Sequence, residues 1–340
     1  MVKRIQSSIS DVAKLAGVSI GTVSNVLNSP DRVRTETVEK VTRAIVQLGF
    51  VRNDAARQLK AGKSRALGLV VLDTSNPFFA ELARGAENAA VESGYQIFLG
   101  NSASDPLREA SYLKMFQEQR LSGLLVSPVR DLSDQARVLR QIGTQMVFVD
   151  SKADPSIACS VSVDDIAGGR LAIEHLLKID RNRIGFVGGS LEIGQVGDRY
   201  HGAKEAVRKT RGAATLKLYR AKSQDVISGR EIGIAIAREP ESTRPNAIFA
   251  ANDLLAIGLL QAFTMIGGMD VPRDIALIGY DDIDFAEATV VPLTSIKQPA
   301  SLLGKTALEM LVDEIENPSE HIHRLVTFQP ELVVRASTTI

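Results

Sequence analysis

The chain has 340 residues, too many for one compact core, and its 40 Lys and Arg balance 40 Asp and Glu. That balance hides a dipole: residues 1–65 hold 12 basic and 5 acidic side chains, a net of +7, and the rest holds 28 basic and 35 acidic, a net of −7. No run of about 18 apolar residues occurs, MVKRIQSSIS is not an export signal, and the single Cys159 excludes an internal disulfide, so a cytoplasmic protein outside the membrane is expected.

The first predicted elements are two short helices joined by a tight turn in ISDVAKLAGVSIGTVSNVLN, residues 9–28. Ser10 is the expected N-cap of the first, Val12, Ala13 and Ala16 recur at helical spacing, and Gly17 ends it where a left-handed backbone is cheapest. Ser19 then offers a second N-cap. Val23, Val26 and Leu27 fall on one face of the second helix, leaving Ile20, Gly21, Thr22, Ser24 and Asn25 on the other. Small side chains there let a helix enter a major groove, and the basic surroundings can neutralise phosphates. A helical hairpin that merely packs on a neighbour is the alternative, and the charge asymmetry argues against it.

Ser29-Pro30-Asp31 reads as a turn, and a third helix follows over Thr35–Leu48 through Val38, Val41, Ile45 and Leu48, with Gly49 as its C-cap and Phe50 covering the cluster. Asn53 to Gly62 holds ten residues of good helix formers, too short a helix to stand alone in water.

From Leu67 apolar strands alternate with amphipathic helices: LGLVVLD, YQIFLGNS, SGLLVSP, QMVFVDS, RIGFVGG, NAIFAAND and IALIGYDD. This alternation predicts parallel, doubly wound sheets, and its length predicts two lobes in tandem. PELVVRASTTI near the end reads as a further strand. Polar or small residues follow each strand, among them Asn76, Asp150, Asn252 and Asp281. Ligands bind parallel sheets at these carboxyl ends, so facing lobes would enclose a polar cleft.

Catalysis finds no support. GFVGGSLEIG lacks the dinucleotide-binding spacing and the phosphate-loop lysine, no nucleophile with a base stands out, and the four His show no metal-site spacing. His321 and His323 read as part of a solvated loop rather than as a ligand pair. No cofactor and no metal are expected.

The segments DVAKLAGVSIGTVSNVLN, NDAARQLKAG, SNPFFAEL, DRYHGA, AANDLLAIG and IGYDD with LTSIKQP resemble, in order and over essentially the whole chain, the LacI/GalR family of bacterial transcription regulators. The resemblance implies an α/β protein with a helix-turn-helix headpiece (1–50), a hinge helix and linker (51–65) and a periplasmic-binding-protein-like core (66–340). Lobe 1 would span about 66–162 and 296–325, and lobe 2 about 163–295 and 326–340. It further implies a homodimer on a pseudo-palindromic operator, with paired hinge helices opening the minor groove.

Residue by residue, the resemblance makes Ile20 and Gly21 the most variable base contacts, and puts Asn25 where many members carry Arg or His, so the half-site is not that of the Arg-bearing members. Thr22, Ser24, Asn28, Arg32 and Thr37 match phosphate-contacting positions, and Ser8, Ser19, Asn53, Ala56 and Lys60 complete the expected DNA face. Leu59 matches the leucine wedged between the central base pairs.

For the effector it implies Asn76, Phe78, Phe79, Arg199, Asn252 and Asp281, with Asp150, Gln195 and Gln224 as further candidates. Where a purine-binding member carries Arg and Thr this chain has Ile193 and Gln195, and Gln224 replaces a frequent aromatic. These departures favour a neutral monosaccharide, with SNPFFAEL similar to ribose-binding proteins and so suggesting a pentose, in a repressor of carbohydrate uptake or catabolism genes. A purine- or nucleoside-responsive repressor of the same family is the alternative, and an extracytoplasmic-type sugar-binding protein a more distant one.

Overall fold

The structure, a computed structural model, describes residues 7–50, 64–266 and 268–339. The expected hinge contacts Asn53, Ala56, Leu59 and Lys60 lie outside the described residues. Two compact units divide the chain, Met1–Ser64 and Arg65–Ile340.

In the first unit α1 (Ile9–Ala16) and α2 (Ile20–Asn28) pack with α3 (Thr35–Leu48), and a 3-10 turn (Pro30–Arg32) links the last two. The cap of α1 corrects the sequence expectation. It is Ser8, not Ser10, that takes the Asp11 amide on its hydroxyl at 3.3 Å, while Asp11 Oδ2 accepts the Ser8 amide at 2.8 Å. This reciprocal capping box satisfies two helix-end donors at once, which Ser10, inside the first turn, cannot do. Gly17 and Gly49 close α1 and α3 in the left-handed region, and Ser19 caps α2 by accepting the Thr22 amide at 3.0 Å. Val12, Ala13, Val23, Val26, Val41 and Ala44 are buried together beneath Leu27 and Phe50.

The second unit holds two six-stranded sheets. Lobe 1 comprises β1 (Ala66–Val71), β2 (Gln96–Asn101), β3 (Gly123–Val126), β4 (Gln145–Val149), β5 (Ser160–Val163) and β11 (Leu325–Phe328), in the order β11-β5-β4-β3-β1-β2 and all parallel. Lobe 2 comprises β6 (Arg183–Gly188), β7 (Thr215–Arg220), β8 (Ala247–Ala250), β9 (Ala276–Asp281), β10 (Thr294–Lys297) and β12 (Glu331–Val333), in the order β12-β10-β9-β8-β6-β7, with only β12 antiparallel to its neighbour. The chain passes between lobes after β5, β10 and β11. Because β10 stays in the second sheet to Lys297 and β11 in the first through Phe328, the last two crossings fall slightly later than the resemblance implied.

Four strands, β5, β7, β10 and β11, give no continuous apolar run. In β5 the serines themselves are buried, Ser160 completely, and β7 and β11 are half-exposed edges. Helices that matter below are α4 (Pro77–Glu92), α7 (Asp165–Lys178), α8 (Gly194–Lys209), α10 (Asp253–Gln261) and α12 (Ala300–Glu316). Glycine is required where α7 crosses α8, since a Cβ on Gly169 would overlap the Arg199 carbonyl. That close crossing is what brings Arg199 into the middle of the cleft.

His321 and His323 do lie in a loop, but the solvation expected for them is corrected. Their side chains are only 3% and 6% exposed, because the irregular segment before β11 folds back over the end of α12.

Candidate functional site

Between the lobes, at the carboxyl ends of the strands, lies a cleft of about 600 Å³. All nine expected effector positions line it: Asn76, Phe78, Phe79, Asp150, Gln195, Arg199, Gln224, Asn252 and Asp281. Phe78 and Phe79 form the apolar wall on the lobe 1 side, edge to face with ring centres 5.0 Å apart. Facing residues on lobe 2 include Ile193, Gln195 and Gln224, none of them aromatic.

Polar bonds cross from lobe to lobe. Asn76 caps α4 by accepting the Phe78 amide, and its Nδ2 donates to Asp281 Oδ2 at 2.9 Å. Gln195 Nε2, in the first turn of α8, donates to Asp150 Oδ2 at 2.9 Å and also to the Asp150 carbonyl. Lys152 pairs with Asp198 at 3.3 Å on the rim. Asp150 and Asp281 both hold positive φ, +55° and +104°, a backbone region costly to residues with a Cβ and typical of ligand sites.

Arg199 organises the floor. Its Nε donates to Asp165 Oδ1 and its Nη1 to the Ala251 carbonyl, each at 2.7 Å, and Nη1 lies 3.8 Å from Asp281 Oδ1. The guanidinium also stacks 3.6 Å above the Tyr280 ring. Burial opposes its charge, but Asp165, Tyr280, Asp281 and Asp150 outweigh burial and hold the pKa above its ordinary value. Burial pushes the Asp281 carboxyl up to about 6, against the attraction of Arg199 and hydrogen bonds from Asn76 and Gln298. Asp150 is likewise held above the ordinary carboxylate range, by burial first and then by the charge of Asp165. One buried guanidinium serves several carboxylates, which disfavours a further negative charge here.

Asp150 Oδ1 is buried with no hydrogen-bond partner. By contrast Asn252 uses both ends of its amide within the protein: Oδ1 caps α10 by accepting the Leu255 amide at 2.9 Å, and Nδ2 donates to the Gln224 carbonyl at 3.0 Å. The sequence reading missed Asp165 and Gln298, the latter donating to Asp281 Oδ1 at 2.8 Å. Asp165 follows a strand end in SVDD, a signal obscured because β5 lacks an apolar run.

On the headpiece Ile20 is 51% exposed, and Ser19, Gly21, Asn25, Asn28 and Arg32 are exposed beside half-buried Thr22, Ser24 and Thr37. A Cβ on Gly21 would meet only Ser19 Oγ, so the patch is flat as well as open. Ser24 and Asn28 are tied together, Asn28 Nδ2 donating to the Ser24 carbonyl at 2.8 Å. Ser8 is exposed but committed to its capping box.

A groove-sized helix on a three-helix unit, followed by a two-lobed core with a polar cleft, defines a ligand-binding regulator that reads DNA. Comparison with known proteins is consistent with that class. Residues 8–53 match the bacterial regulatory proteins of the lacI family, and residues 173–338 match the periplasmic binding protein-like domain. The HTH-type transcriptional repressor PurR of Aliivibrio fischeri (strain MJ11) is 33% identical over 333 residues, 97% of this chain and 98% of that one. Its namesake from Haemophilus influenzae (strain PittEE) is 32% identical over 336 residues, again 97% and 98%. Among solved structures, the Lac repressor dimer bound to operator and the anti-inducer ONPF superposes with a TM-score of 0.79 at 25% identity, covering 98% of this chain and all of that one. A LacI family regulator from Enterococcus faecium with bound ribose gives 0.71 at 27% identity, over 80% and 98%. The chain belongs to the lacI family and is a DNA-binding transcriptional repressor. Among the described residues no helix is long and apolar enough to cross a membrane.

Proposed function

We propose that this repressor works in the cytoplasm as a homodimer on a pseudo-palindromic operator, and that a small neutral sugar, a pentose in the first instance, enters the cleft and alters operator affinity. Genes for carbohydrate uptake or breakdown are the expected targets. The observation that carries the effector reading is the orphaned Asp150 Oδ1 in the cleft wall. A hydroxyl both donates and accepts, so it satisfies this group whether or not it is protonated. Asp281 offers a second carboxyl for a neighbouring hydroxyl, and the surplus of buried carboxyls disfavours a sugar phosphate. The ribose-bound relative supports the same class.

A purine or nucleoside is the second reading, favoured by the relatives named PurR. Against it, among the described residues the aromatic rings lining the cleft are Phe78 and Phe79, both on one wall, so a planar base would stack on one face.

An effector that replaces the Asn76–Asp281 or Gln195–Asp150 bond shifts the balance between open and closed lobes, and with it the separation of the two headpieces. Complete switching needs about 5.5 kcal/mol of differential affinity. Calorimetry of the full chain against ribose, other free sugars, sugar phosphates, nucleosides and nucleobases decides the class. Binding of a free sugar is expected, and binding of guanine or hypoxanthine with no sugar overturns this reading. Anisotropy titration on a palindromic duplex then gives the sign of the response. Asp281→Ala should abolish the response and spare operator binding, whereas Leu59→Ala should weaken operator binding at least tenfold with folding intact.

A further inference from the structure

At the end of lobe 1 opposite the cleft, Cys159 precedes β5, Glu314 lies in the last turn of α12, and His321 and His323 precede β11. Topology brings these distant residues together. His321 Nε2 lies 3.2 Å from Cys159 Sγ, and His323 Nε2 lies 3.0 Å from Glu314 Oε1. One donor atom from each of Glu314, His321 and His323 lies within 4.8 Å of the other two. The Glu314 side chain is 5% exposed, and its second oxygen, Oε2, is buried with no hydrogen-bond partner.

We propose that this cluster is a divalent-cation site of the zinc class, with Glu314, His321 and His323 as ligands, and with Cys159, which stands outside that three-residue group but 3.2 Å from His321 Nε2, turning in as the fourth. Mixed nitrogen, oxygen and sulfur donors suit zinc, which prefers four ligands in a tetrahedron. Bonds of about 2.0–2.3 Å place tetrahedral donor atoms roughly 3.3–3.6 Å apart, close to the His321–Cys159 and His323–Glu314 spacings. Asp313 supplies the outer support: its Oδ2 lies 2.6 Å from His321 Nδ1, so the Nδ1 proton goes to Asp313 and the Nε2 lone pair faces Cys159. The Arg324 amide donates to Cys159 Sγ at 3.4 Å, while burial pushes the Cys159 thiol up. A bound dication would neutralise the buried Glu314 carboxylate, engage its unpartnered oxygen, displace the thiol proton to solvent, and hold His323 through Nε2 as the tautomer with its proton on Nδ1. It would clamp the end of α12 to the start of the strand pair β5 and β11. Two ordinary histidine–carboxylate pairs sealing a corner would hold no metal, and this is what the test must separate.

The untagged full chain, stripped with chelator, is titrated with Co²⁺ and then Zn²⁺. The expected result is one Co²⁺ per chain, a thiolate-to-cobalt charge-transfer band, intense visible bands of tetrahedral cobalt, and displacement by Zn²⁺. Cys159→Ser should remove the charge-transfer band, and His323→Gln and Glu314→Gln should each weaken binding by tenfold or more. Asp313→Asn, at a half-exposed side chain, is the variant least able to disturb folding and should weaken binding by about tenfold. Circular dichroism of each metal-free variant checks the fold. Absence of cobalt binding at 100-micromolar metal overturns the proposal, as does wild-type affinity in Asp313→Asn together with the folded ligand variants. A charge-transfer band that survives Cys159→Ser removes Cys159 from the site.

Discussion

The headpiece and the effector cleft place their polar groups in opposite ways. The headpiece closes an apolar core of Val12, Ala13, Val23, Val26, Val41 and Ala44 and leaves its recognition groups, Ile20, Gly21 and Asn25, in solvent. The cleft buries Asp150, Asp165, Arg199 and Asp281 and bonds them to one another or to neighbours. Exposed groups contribute little to folding, so a surface that reads DNA can change its sequence preference while the fold stays put. Buried charges couple binding to stability, because each is held by a partner whose loss leaves it uncompensated.

The comparison breaks most visibly at Arg199. Replacing it with Met leaves Asp165 buried without its cation, and a loss of about 3–5 kcal/mol is expected in urea unfolding followed by circular dichroism. A loss below about 1 kcal/mol would show that the cleft charges are not coupled to folding.

Acid–base behaviour of Asp281 gives the next largest effect. With its folded pKa raised to about 6 by burial, above the ordinary carboxylate value, its contribution to stability is present at low pH and is lost as pH rises from about 4 through 6. A shift of this size corresponds to about 3 kcal/mol. Asp150, Asp165 and Asp253 are raised in the same direction, burial being the first cause in each, so the profile of Asp281→Asn must be subtracted from that of the parent. Parallel stability profiles between pH 4 and 7 would sink the assignment.

Smaller effects belong to the headpiece. Ser8→Ala removes the capping box of α1 and should cost about 1 kcal/mol, visible as faster amide exchange over residues 9–16 with cleft binding unchanged. Asn25→Arg should move stability by less than about 0.5 kcal/mol and yet shift half-site preference toward guanine, as read by competition between operator duplexes. A large stability change there would contradict the picture of an uncoupled reading face.

Local physics made the headpiece and most of the core legible in the sequence. Helix periods, caps such as Ser19 and Gly17, and apolar strand runs depend on neighbours a few residues away, so the three headpiece helices and eight of the twelve described strands are legible in the sequence. Strand ends point to the cleft for the same reason, and the family resemblance singled out positions that line it. What the tertiary structure alone decided is pairing and burial. Asn76 meets Asp281 across 205 residues, and Cys159 meets His321 across 162. Nothing local marks Asp165 or Gln298 as partners, or His321 and His323 as buried, since those facts follow from which strands cross between lobes. A sequence displays the periodicity of each element, but the dielectric around a carboxyl or an imidazole is set by chain segments far away in sequence.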